Sequence, residues 1–196
     1  LAAIRSIGRT EEYFYMPVFE SAAMIPPQTR REALTEVRAQ LDTVSGSILN
    51  IRVGGNDLSH AFGLRRPANR TIYDLRPVAD ILIDIVAAFG TQYVVSGPVW
   101  EYYSGEGWEE GLRREMELDL LNGFTGKTVI HPNQIPVVNE MLRVSQQDYA
   151  DARAILNWDT GSGSLVSASE DGGRMNEYNT HSRWARRIVL RAERYG

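Results

Sequence analysis

Apolar runs rich in β-branched and aromatic residues alternate with helix-patterned stretches along most of this chain. That alternation limits its fold more than any other feature. "YFYMPVFE" (13–20) reads as a strand between "GRTEE" and "SAAMIPP". "QTRREALTEVRAQLDTV" (28–44) follows, with Ala33, Leu34, Val37, Leu41 and Val44 spaced by threes and fours, the period of an amphipathic helix. The pattern repeats as a strand at 47–53, a helix at 75–90, a strand at 91–97 and a helix at 107–123. Pro77 suits the first turn of the second helix, Gly90 its C-terminal cap, and Gly123 stops the third. "KTVIHP" (127–132) reads as a fourth strand, followed by the helical stretches "NQIPVVNEML" and "SQQDYADARAILNW". Ser145 and Asp148 resemble a capping box.

Four such units in a row, with strands too apolar to face water, predict an α/β fold with a parallel sheet. Two architectures satisfy this: an open doubly wound sheet, or part of a (β/α)8 barrel. No G-x-G-x-x-G turn follows any strand, which counts against a dinucleotide-binding sheet. Four units make half a barrel, since a complete one needs about 250 residues. "LAAIRSIGR" reads as the tail of a helix whose strand is not in view, so an N-terminal half of roughly a hundred residues is expected to precede.

A composition of 43% hydrophobic and 23% charged residues fits a globular chain, and a net charge of -4 gives no footprint for nucleic acid or membrane. Absence of cysteine removes disulfides, thiolate zinc sites and cysteine nucleophiles. No run approaches the ~18 apolar residues of a membrane span, and no signal core opens the chain, so a cytoplasmic protein is expected. The 21 basic residues are 20 arginines and a single lysine, Lys127. Either base composition favours arginine throughout, or position 127 needs a compact ammonium where a guanidinium fork does not fit.

In a parallel sheet the C-terminal strand ends share one rim, and in barrels that rim carries the chemistry. It collects Glu20, then Asn56 and Asp57, then Ser96 and Gly97, then His131. Two carboxylates on one rim suit a hard cation such as Mg2+ or Mn2+. A strand-end aspartate is also a common turn or cap residue, and spacing alone does not separate the two. His131 reads as a hydrogen-bonded imidazole fixing a loop, with a catalytic base as the alternative. His60, three residues after Asp57, lies near the same rim. Gly54 and Gly55 permit close approach of backbone amides to a ligand. No serine lies in a G-x-S-x-G turn, so acyl-enzyme chemistry has little support.

Three stretches resemble the HpcH/HpaI aldolase superfamily, which includes the citrate lyase β-subunit and malyl-CoA lyases. "GGNDLSHAFGL" is similar to its G-x-[ED]-D-L segment. "GLRREMELDLLNGFTGKTVIHPNQIPVVNE" is similar to its G-L-x-x-E…G-F-x-G-K-x-x-I-H-P-x-Q-I segment, and "YFYMPVFES" to the strand that ends in the first metal ligand. The aromatic "YFYMPVFES" and "VSGPVWEYY" resemble a branch of TIM-barrel C–C bond lyases. The resemblance implies strands five to eight of a (β/α)8 TIM barrel over 1–158. A loop and helical tail would follow over 159–196 as a lid or oligomer-docking segment.

It further implies a Mg2+-dependent lyase or aldolase that cleaves a C–C bond of a small oxo or hydroxy acid, free or as a CoA thioester, through a metal-stabilised enolate. Glu20 and Asp57 would be the metal ligands. Gly54, Gly55, Asn56, Gly97, Pro98 and His131 would contact substrate, and Lys127 would stand near the rim as a catalytic residue. The family's acidic "G-K-M-x-D" stretch corresponds to "GGRMNEYN", with Glu177 in place of the aspartate. A homo-oligomer, trimer or hexamer, is implied too. Ala22, Ala23 and Met24 depart from the small residues usual after the first ligand, so the carboxylate pocket there is expected to differ. A non-catalytic barrel subunit binding acyl-CoA or another ligand is the alternative.

The tail begins with "DTGSGSLVSASEDGG" (159–173), whose Gly, Ser and Asp content predicts a loop. A basic helix (179–196) follows, with a stripe of Trp184, Ile188 and Ala192 suited to docking on a neighbour. Its arginines read as a solvated face or an anion site.

Overall fold

The structure, a computed structural model, describes residues 12–158, 166–169 and 172–196. The stretch 1–9, read as a helix tail, and most of the predicted loop at 159–173 lie outside the described residues. The chain divides into two compact units, Leu1–Val137 and Val138–Gly196.

In the first unit, β1 (Val18–Phe19), β2 (Ile51–Val53), β3 (Val95–Gly97) and β4 (Gly126–Lys127) form one sheet in the order β1-β2-β3-β4. Every pair is parallel. Between them run α1 (Pro27–Asp42), α2 (Gly55–Ala61), a 3-10 turn (Ile72–Asp74), α3 (Arg76–Phe89) and α4 (Trp108–Leu121). Strands adjacent in sequence are adjacent in the sheet, the order of a (β/α)8 barrel wall.

The strand alternation divides the sheet's two faces. Phe19, Ile51, Val53 and Val95 are buried with Leu34 of α1 and Ile81, Leu82, Ile85 and Phe89 of α3. Burying side chains of this size contributes about 1.5–3 kcal/mol each. On the other face the register aligns Val18, Arg52, Ser96 and Gly126 in one row. Val18 is 42% exposed and Arg52 half-buried, so this face lacks a helical cover among the described residues.

The strands are shorter than the apolar runs. Pro17 cannot donate to a ladder, although its carbonyl accepts from the Arg52 amide, and only an isolated bridge, Tyr15 to Ile48, precedes β1. The predicted strand 127–132 is corrected to a two-residue β4 and a loop. There the Ile130 amide donates to the side chain of buried Gln134, and the Gln134 amide group donates to the carbonyls of Trp100 and Tyr102. Gly123 closes α4 at φ 94, a left-handed conformation that favours glycine. Gly90 caps α3 in the right-handed region instead, with its amide on Val86.

A cluster of buried charges ties α4 to the sheet. Gly97 and Lys127 are register partners, and both face α4. The Lys127 Nζ lies 2.7 Å from Glu115 and 2.7 Å from Asp119, with all three side chains at most 1% exposed. Glu115 also binds the Arg66 guanidinium at 2.9 Å and accepts the Ile72 amide at 2.7 Å. Asp119 accepts from the Tyr73 hydroxyl at 2.8 Å. Burial pushes the Asp119 carboxyl above the usual carboxylate range, against the pull of Lys127, and burial beside Asp119 pushes the Tyr73 phenol up.

In the second unit, α6 (Gln146–Leu156) packs on α7 (Tyr178–Tyr195) through Ala152, Ile155, Ala185 and Ile188. Ser145 accepts from the Asp148 amide, the cap expected from sequence. β5 (Val166–Ala168) and β6 (Met175–Glu177) form an antiparallel pair, which corrects the loop reading at 166–168. Two residues of the stripe expected to dock on a neighbour pack within this unit. Ile188 is buried in the α6 cluster, with Trp184 packed against it. α5 (Gln134–Met141) spans the division between the units. No helix of the described residues is long and apolar enough to cross a membrane.

Replacing Lys127 with methionine strands two buried carboxylates. Chemical denaturation should show a loss of about 3–5 kcal/mol near neutral pH. Without the ammonium, a carboxyl pKa rises further above its unfolded value. The deficit is therefore smallest at acidic pH and grows as pH rises through the raised pKa. An unchanged midpoint at neutral pH would contradict this role.

Candidate functional site

β1 and β2 are neighbours in register, so the residues following them stand side by side at the C-terminal rim. Glu20 follows β1 directly. Gly54 follows β2 and precedes α2, with Asp57 in the first turn of that helix. A carboxylate there is favoured by the amide end of the helix. The sequence showed the acid but not the helix, because seven residues opening on Gly-Asn-Asp behind a further glycine read as a turn.

A Cβ placed on Gly54 would lie 2.5 Å from the Glu20 Cβ, 2.6 Å from Glu20 Oε2 and 3.2 Å from Asp57 Oδ2. Both carboxylates therefore reach the space beside this one glycine. Its φ is -86, so the need for glycine is steric and not conformational. The Gly54 amide donates to the Phe19 carbonyl at 3.0 Å and continues the ladder. This corrects the expectation that its amide faces a ligand.

Both carboxylates are exposed, and their oxygens come from adjacent strand ends. This donor set fits a hard divalent cation such as Mg2+, which is commonly held by one or two carboxylates with water and substrate oxygens completing the shell. No group of three or more His, Cys, Asp or Glu side chains suited to a metal occurs among the described residues.

Several residues expected to contact substrate also have packing roles. A Cβ on Gly55 would lie 2.6 Å from Ile72 Cδ1 and 2.7 Å from Pro98 Cβ, so this glycine lets α2 close on the 3-10 turn and on buried Pro98. A Cβ on Gly97 would lie 2.5 Å from Asp119 Oδ2, so Gly97 makes room for the buried charge cluster. Asn56 Oδ1 accepts from Arg66 at 3.3 Å, which links the α2 start to the same cluster.

Lys127 is likewise corrected. Its side chain is fully buried and directed at α4, whereas Glu20 belongs to the face bearing Arg52. Its compact ammonium accommodates two carboxylates, which is the need its survival among arginines had hinted at. His131 stacks on Tyr103 with ring centroids 4.2 Å apart, and its Nδ1 accepts the Asn133 amide at 3.1 Å. That is the loop-fixing imidazole. His60 is exposed at the end of α2. Glu177 lies in the second unit ahead of α7, where its carboxylate accepts from the Thr180 hydroxyl at 3.2 Å.

Two residues near this site were not singled out from sequence. Arg66 is 2% exposed and reaches Glu115, the Val99 carbonyl and Asn56. Arg52 stands on the same face as Glu20, and its place inside an apolar strand was the available signal.

Comparison with known proteins agrees with this architecture. A stretch of 74 residues is 38% identical to an L-malyl-CoA/β-methylmalyl-CoA lyase of Cereibacter sphaeroides, covering 37% of this chain and 22% of that protein. The fold is similar to CitE of Mycobacterium tuberculosis, solved in complex with magnesium, acetoacetate and coenzyme A. The TM-score is 0.62 at 23% identity, over 92% of this chain and 61% of that one. It is also similar to a citrate lyase of Burkholderia xenovorans LB400, with a TM-score of 0.68 at 17% identity, over 98% of this chain and 57% of that one. The chain thus spans less than two thirds of the length of the proteins it resembles. Its full length, residues 1–196, matches one family throughout, and the chain belongs to the C–C bond lyases of the TIM-barrel fold.

Proposed function

We propose that this chain is part of a carbon–carbon bond lyase acting on a small oxo or hydroxy acid carried as a CoA thioester. Mg2+, or Mn2+ in its place, would be held by Glu20 and Asp57. The observation that carries this reading is the convergence of both carboxylates on the space beside Gly54. Membership of the lyase family supports the reaction class. Likeness to a malyl-CoA lyase supports the thioester.

A cation held there supplies the positive charge that stabilises a carbonyl oxygen turning negative as the C–C bond breaks. The chain's own part is to hold the donors. The β1–β2 register brings the two acids to one level of the rim, and Gly54 keeps the space between them open. Asn56, tied to Arg66, fixes the first turn of α2 and so the origin of Asp57. Glu177 is retained as the proton donor of this reading on the likeness of "GGRMNEYN", and a homo-oligomer is carried with it.

Titration calorimetry of the full-length protein should show Mg2+ binding that is lost in both Glu20→Gln and Asp57→Asn. Cleavage of a panel of hydroxyacyl-CoA thioesters should be lost with it. Binding unchanged in both variants would overturn the reading. Gly54→Ala should weaken Mg2+ binding while the far-ultraviolet circular dichroism stays native, because the new methyl would stand 2.6 Å from Glu20 Oε2 and push that side chain aside. An alanine variant with unaltered affinity would show that the convergence does not hold the metal.

A further inference from the structure

Arg52 stands out among the arginines enclosed by the first unit. Buried Arg30 lies 3.0 Å from Asp84, and buried Arg66 lies 2.9 Å from Glu115. Half-buried Arg52 has no carboxylate partner among the described residues. Its one hydrogen bond there is long, from Nε to the Thr128 hydroxyl at 3.4 Å. Its remaining donors are open to solvent, since no Arg52 nitrogen is buried without a partner, and they are free to take an anion.

The register shows where this cation goes. Arg52 is aligned with Ser96, and Ser96 with Gly126. Its contact with the Thr128 hydroxyl shows that the side chain leans across β3 toward β4. It also climbs one step toward the C-terminal rim. The row beneath it is small: a serine hydroxyl and a glycine with no side chain. Continuing the register puts Thr128 level with Gly54 and Glu20. The guanidinium therefore extends over the sheet face that carries the acidic pair, toward the same rim. Both Nη groups carry no bond among the described residues.

We propose that Arg52 binds a carboxylate of the substrate, distinct from the oxygens held at Glu20 and Asp57, and so selects acids bearing an additional carboxylate. The proposal rests on the metal-site reading above for the position of the rest of the acid. The planar fork of five N–H donors matches a carboxylate through two parallel bonds, which a lysine cannot reproduce. One charge-assisted pair of this kind amounts to a tenfold or greater preference, as an order of magnitude.

The test compares malate with lactate, two hydroxy acids differing by one carboxylate, on the full-length protein at saturating Mg2+ by calorimetry. Wild type should bind malate about tenfold tighter or more. Arg52→Gln should bring the two within about twofold, with Mg2+ and lactate affinities unchanged. Arg52→Lys should fall between, since it keeps the charge and loses the fork, and circular dichroism reports whether each variant is folded. A folded Arg52→Gln or Arg52→Lys protein that retains the full preference overturns the proposal, as does a wild type with none. If wild type binds no Mg2+, the metal reading fails by itself. The comparison of succinate with butyrate, run without metal, then decides Arg52 alone: a succinate preference lost in Arg52→Gln supports it, and an unchanged one overturns it.

Discussion

The structure turns on one buried ammonium. The Lys127 side chain is buried away from water, and among the described residues the carboxylates of Glu115 and Asp119 balance its charge. Those carboxylates are equally dry, and Glu115 is shared with Arg66 and with the backbone of Ile72. Such a cluster gains little net energy over an apolar core, but removing any one member is costly. The groups therefore hold each other to fixed positions. α4 is held to β3 and β4, and the 3-10 turn to α4. Through Arg66 and Asn56 the start of α2 is held as well. A charge cluster on the helix side of the sheet thus positions the chain that bears Asp57.

On the opposite face the constraint is steric. A parallel register places Glu20 against position 54, and only a residue without a side chain fits there. Gly97 and Gly55 follow the same logic at other contacts, one against Asp119 and one against Ile72 and Pro98. These glycines are close-approach positions, and none of the three has a positive φ. The division of labour follows from the two-residue period of a strand. Phe19 and Val53 build the core, while Arg52 and Gly54, one residue removed from Val53 on either side, face the uncovered side with Val18 and Glu20.

Much of this was legible in the residues. The alternation of apolar runs with three-and-four periodicity predicted the parallel sheet and its four strands, while the choice of a barrel order came from the family resemblance. The "GGNDL" and "GKTVIHPNQI" stretches pointed to the family that the whole chain matches. Glu20 and Asp57 were legible as a pair because strand ends of a parallel sheet share a rim. Other features depended on tertiary partners. Nothing local to "GKT" says that its lysine turns to α4, because the parity of a two-residue strand is set by its neighbour Gly97. Gly54 and Gly55 looked alike in sequence, yet one faces Glu20 and the other Pro98. The helix at Gly55–Ala61 was missed because packing against Ile72 and Pro98, and not propensity, stabilises it. Arg52 was passed over because a strand pattern marks it only as an interruption.

The central claim is that Glu20 and Asp57 together hold a divalent cation beside Gly54. Its most direct test is anomalous scattering from crystals of the full-length protein grown with Mn2+. The account predicts one strong difference peak within bonding distance of both carboxylates. A protein saturated with Mn2+ whose peak lies elsewhere, or touches only one of these two acids, would contradict it.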